Sequence, residues 1–140
     1  MSEIVLTLHK VYCDEVTDDF LKGLTDEFGF RLCAFDMAGD KFWSAEELPM
    51  AGMESVEAGS THTLNRELGR LTADTQTAEL EFWEKDTFSA DDLLGRILIR
   101  RGESGLVISA GESATDLGGG CWRLRCGQGD YKVWVEIKEA

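Results

Sequence analysis

Apolar and polar residues alternate along most of this chain. In Ile4-Val5-Leu6-Thr7-Leu8, the residues Ile4, Leu6 and Leu8 share one face, and Phe28, Phe30, Leu32 and Ala34 do the same further on. Ala78-Glu79-Leu80-Glu81-Phe82 sets small or apolar residues strictly against glutamates. Trp122, Leu124 and Cys126 alternate with Arg123 and Arg125, and Tyr131 to Ile137 alternates again. Successive side chains of a β-strand leave opposite faces, so each run reads as a strand with one face in a core and one in water. Strands are expected near 3–12, 27–36, 40–44, 51–57, 61–68, 78–85, 96–101, 105–109, 120–126 and 131–138, most of them separated by Gly-rich or acidic turns. The pattern predicts an all-β fold, an antiparallel β-sandwich of about eight strands. Helical periodicity is weak: Asp18 to Gly23 and Ser44 to Leu48 each read as a single turn of helix at most.

Length and charge narrow the picture. The 140 residues suit a single domain spanning 1–140, which at this size buries roughly 68–70% of the surface of its unfolded chain. The net charge is −13, and it lies almost wholly in the first ninety-five residues; from Arg96 onward acids and bases nearly balance. Such a surface repels phosphate backbones, so no nucleic-acid partner is expected. Residues 1–20 lack the sections of a signal peptide, and no apolar run approaches the roughly 18 residues of a membrane span, so a cytoplasmic setting is expected. Cys13, Cys33, Cys121 and Cys126 form no C-x-x-C pair, and the odd offset between Cys121 and Cys126 puts them on opposite faces of one strand; reduced thiols follow.

The candidate chemistry is carboxylate chemistry. Phe82-Trp-Glu-Lys-Asp-Thr-Phe-Ser-Ala-Asp-Asp-Leu-Leu-Gly95 gathers Glu84, Asp86, Asp91 and Asp92 at one turn between two strands. Glu84 and Asp86 are two positions apart at a strand tip and leave the same face. Asp92 returns at the start of the next strand. Converging carboxylates repel one another unless a cation separates them, and a hard cation such as Ca²⁺, which takes 6–8 oxygen ligands, suits the donor set. The connection 13–27 is acidic as well, and an antiparallel sandwich can bring it to the same end.

Phe82 to Gly95 resembles the third calcium-binding loop of C2 domains, in which an apolar residue, two aspartates at alternate positions, a third aspartate six residues on, two apolar residues and a glycine follow in order. Here the stretch reads Phe82-Trp83-Glu84-Lys85-Asp86, then Asp92-Leu93-Leu94-Gly95, with Glu84 in place of the usual aspartate. Thr25-Asp26-Glu27-Phe28 stands where C2 domains carry Ser-Asp-Pro-Tyr, without the proline. The resemblance implies a C2-like sandwich of circularly permuted topology. It implies a calcium site built from Asp19, Asp26, Glu84, Asp86 and Asp92, with Asp18 or Asp14 as substitutes for Asp19. It also implies a non-catalytic module that meets an anionic lipid or a protein partner through calcium, with Phe20, Leu21, Leu24 and Phe88 in the loops concerned.

Other constellations are weaker. Asp86 to Ile97 fails as an EF-hand because Phe88 and Ala90 offer no side-chain oxygen. No G-x-S-x-G marks a nucleophile, and His9 and His62 stand apart, so no enzyme is expected. Arg96, Arg100, Arg101, Arg123 and Arg125 form a basic strip if 96–101 and 120–126 are neighbouring strands, or else pair with Glu79 and Glu81. The alternative function is a metal-independent adaptor that binds protein through a sheet face or edge, with outward-facing Trp83 and Trp134 as anchors.

Overall fold

A computed structural model describes residues 2–17, 25–86 and 90–140. Among these residues twelve strands run in chain order: β1 (Ile4–Glu15), β2 (Thr25–Asp26), β3 (Phe28–Phe35), β4 (Lys41–Glu47), β5 (Val56–Glu57), β6 (Thr61–Leu71), β7 (Thr77–Glu84), β8 (Asp92–Gly102), β9 (Gly105–Ala110), β10 (Ala114–Gly118), β11 (Cys121–Cys126) and β12 (Gly129–Glu139). One sheet has the order β10-β11-β12-β1-β6, the other β4-β3-β7-β8-β9, and β2 pairs with β5 in a short ribbon. Every pairing is antiparallel. The fold is therefore the all-β antiparallel sandwich expected from the alternation, with five strands in each sheet.

The alternating positions form the core. Ile4, Leu6, Leu8, Phe28, Phe30, Leu32, Ala34, Ala78, Leu80, Phe82, Trp122, Leu124, Tyr131, Val133 and Val135 are all buried. Burying a large apolar side chain is worth about 1.5–3 kcal/mol, so these inward sets are what presses the two sheets together. Phe28 joins Phe82 at 5.5 Å between ring centroids and Tyr131 at 5.4 Å, an aromatic cluster that bridges both sheets. Gly95 lets the layers close here: a Cβ on it would stand 2.5 Å from Leu124 Cδ2 of the opposite sheet.

Three elements differ from the expectation, the first being the strand expected near 51–57, of which only Val56–Glu57 pairs, as β5. Ser44 to Leu48 is no helical turn; Lys41–Glu47 is an edge strand whose backbone pairs with β3 from Phe30 to Phe35. Ala and Glu favour helix, but five residues are too few to nucleate one, and the ladder of a neighbouring strand decides. Strand β10 escapes the alternation because four of its five residues are exposed, leaving no inward set to read. No helix among the described residues is long and apolar enough to cross a membrane.

Candidate metal centre

The β7–β8 hairpin assembles the acidic turn. Glu84 lies directly opposite Asp92 in the ladder, and the register slips between Phe82 and Trp83, where Phe82 faces Gly95 and Trp83 faces Leu93. Like charges directly opposite each other in a ladder are unfavourable. Asp86 follows two residues beyond Glu84. One carboxylate oxygen from each of Glu84, Asp86 and Asp92 lies within 4.8 Å of the other two. Glu84 is fully buried, Asp86 and Asp92 half-buried. Three of the five candidate ligands are thus brought together.

The fourth carboxylate of the turn is engaged elsewhere. Asp91 Oδ1 accepts the Asp86 N–H at 2.9 Å, and Asp91 Oδ2 faces Arg31 Nη2 at 3.4 Å. Arg31 also pairs with Glu46 and lies over the Trp83 ring at 4.4 Å. Trp83 does face outward, as its position requires, but a guanidinium covers it.

The facing connection arrives at the same end, as expected: Lys85 N–H donates to Glu27 O at 2.9 Å, and Phe28 pairs with Glu84. Asp26, at 1% exposure, belongs to a separate net. Its Oδ2 accepts the Thr17 N–H at 3.0 Å and the Tyr131 hydroxyl, and its Oδ1 accepts the Thr17 hydroxyl at 2.7 Å. Both oxygens are occupied, and the trio forms without it. Asp19 lies outside the described residues, as do Asp18, Phe20, Leu21, Leu24 and Phe88.

Two groups behind the site were not among the expected ones. Burial, then the adjacent Asp26, pushes the Tyr131 phenol far above its usual range, so it stays a neutral donor. Burial pushes the neighbouring Cys13 thiol up to about 11, which keeps it uncharged beside the same net. The signal for Tyr131 was available: a tyrosine in an inward set needs a partner for its hydroxyl. The partner sits 105 positions away, so spacing alone cannot name it. Cys126 closes the other side of the end. Burial raises its thiol first, followed by the charges of Asp92, Glu84 and Asp26.

The arginines do not assemble into a strip. β8 and β11 belong to different sheets. Arg96 pairs with Glu81 at 2.6 Å, Arg101 with Glu139 at 3.0 Å and Arg123 with Asp130 at 2.7 Å. Arg96–Glu81 is the cross-strand pairing expected; Arg123 meets Asp130 of the neighbouring β12, and Arg101–Glu139 joins the two sheets.

No protein-family model and no curated protein matches the chain. Among solved structures the chain is similar to a C2 domain of a plant extended synaptotagmin 1, with 12% identity, 99% of this chain and 95% of that chain covered, and a TM-score of 0.48.

Proposed function

We propose that residues 1–140 form one non-catalytic, C2-like binding module in which Glu84, Asp86 and Asp92 hold Ca²⁺. The observation that carries this reading is the trio itself: three carboxylates, one of them fully buried, with oxygens within 4.8 Å of one another. Burying a charge is costly, and bringing two more like charges to it costs further. A divalent cation offsets both penalties at once. The donors are all carboxylate oxygens, which fits a hard ion and not a thiolate-seeking one.

Asp19, from the facing connection, is the proposed fourth ligand. Asp26 is a fifth, which the ion reaches only by displacing Thr17 or Tyr131; otherwise it braces that connection. Calcium turns a strongly negative end into one that an anionic lipid or an acidic protein surface can approach, in a cytoplasmic setting. The metal-independent adaptor reading retains one specific support, the exposed Met37 and Phe42 at and beside the outer edge of β4.

Isothermal titration of Ca²⁺ into protein stripped with EDTA tests the proposal. One saturable site that vanishes in Asp86→Asn and persists in Asp74→Asn is expected. Heat of dilution alone hands the lead to the adaptor reading.

A further inference from the structure

A different site lies beside the β10–β11 turn, along the sheet that contains β1, toward the end opposite the acidic turn. β1 is irregular there: its ladder with β12 passes from Leu8–Val135 to Lys10–Trp134 and leaves His9 as the extra residue, and its ladder with β6 slips at the same place, with Leu64 and Asn65 opposite His9. Across from it on β6, Asn65 adopts a φ of 46°, in the left-handed region. His9 Nδ1 and Asn65 Oδ1 lie 2.9 Å apart. Bulges re-aim side chains and concentrate next to sites, and an irregular backbone on an otherwise regular sheet points the same way.

These side chains border a groove of about 750 Å³, within the roughly 300–1,000 Å³ typical of small-molecule sites. Its other walls include Asp116, Glu136, the Trp134 indole and the turn Gly118–Gly120. Contacts among the described residues use one atom of each polar group. Asp116 Oδ1 takes the Gly118 N–H at 2.8 Å, and Glu136 Oε1 faces Lys138 Nζ at 3.5 Å and His9 Nε2 at 4.0 Å. Asp116 Oδ2, Glu136 Oε2 and Asn65 Nδ2 remain for a ligand.

Neither sign of charge prevails along the lining. An anion would meet two carboxylates, and a cation would meet the Lys10 ammonium. A ligand dense in hydroxyls suits both, because each hydroxyl donates and accepts. The apolar C–H face of a pyranose ring also packs on an indole. We infer that this groove binds a neutral saccharide, with Trp134 as the stacking platform and Asn65, Asp116 and Glu136 as partners for its hydroxyls. Lys10 Nζ lies over the Trp134 ring at 4.1 Å, where the sugar stacks, so the sugar displaces it.

The test is an array of neutral, sialylated and sulfated glycans probed with the full chain in EDTA, which removes any contribution from the acidic end. Retention of neutral glycans is expected, with the Trp134 indole N–H shifting in NMR on titration of the retained oligosaccharide. Trp134→Ala abolishes retention. Asp116→Ala, at an exposed position that leaves the fold intact, weakens it about tenfold, one charged-group hydrogen bond's worth. Lys10→Ala uncovers the ring and tightens binding. The inference is overturned if no neutral glycan is retained or only charged ones are. It is equally overturned if Asp116→Ala and Trp134→Ala bind like the parent, or if Lys10→Ala binds more weakly.

Discussion

Asp26 and Glu84 are both buried carboxylates at the same end of the sandwich, on segments joined by the Lys85 N–H to Glu27 O bond. Their surroundings differ in kind. Asp26 is surrounded by donors from its own chain: two from Thr17 and one from Tyr131. Glu84 stands in a cluster of its own sign, with Asp86 and Asp92. A buried carboxylate with three donors is compensated within the chain, and it ties a loop to the core. A buried carboxylate crowded by two others gains most from a cation supplied from outside. The contrast sets a braced carboxylate beside the proposed ligands of a cation at one end of one fold.

Asp26→Ala breaks the brace and carries the largest expected effect. It strands the buried Tyr131 and Thr17 hydroxyls, at about 1–3 kcal/mol each, so a loss of about 3 kcal/mol in urea unfolding is expected. A loss under 1 kcal/mol would mean that the net contributes little. Tyr131→Phe removes one donor and leaves Asp26 with two; about 1.5–2 kcal/mol is expected for a bond to a charged group.

Asp130 offers a third, intermediate case, since the Arg123 guanidinium holds its carboxyl below the usual range. A depressed carboxylate contributes stability above its unfolded pKa and loses it as pH falls through the folded one. The melting temperature of the parent should therefore fall more steeply than that of Asp130→Asn as pH is lowered below about 4. Arg123 is over a third exposed, so the difference is small, about 1 kcal/mol or less. Parallel curves would remove the pair from the account. Asp74→Asn, outside all three groups, should change stability by less than about 0.5 kcal/mol.

Much of this could be read from the residues. The inward sets of β1, β3, β7, β11 and β12 follow from strict alternation, because a buried face leaves no freedom in which residues are apolar. The trio was legible for a local reason: Glu84 and Asp86 share a face by a two-residue offset, and a hairpin returns Asp92 beside them. What escaped was set by long-range pairing. Asp26 is implied as a ligand by the resemblance of Thr25-Asp26-Glu27-Phe28 to a C2 loop, whereas its donors come from Thr17 and from β12 across the sandwich. The second half of β4 and the exposed β10 escaped because neither carries an inward set strong enough to outweigh local propensity.

The central claim is that the trio gains from a cation, and thermal melts of the parent and Asp86→Asn, each in EDTA and in excess Ca²⁺, test it most directly. In the parent, Ca²⁺ at a hundredfold excess over Kd should add about 2.7 kcal/mol of stability. In EDTA, Asp86→Asn should melt higher than the parent, because it relieves a like-charge contact worth about 1 kcal/mol, and it should gain almost nothing from Ca²⁺. A parent melting temperature that is the same in EDTA and in millimolar Ca²⁺, with Asp86→Asn no more stable, would contradict the account and leave the trio an acidic turn that holds no cation.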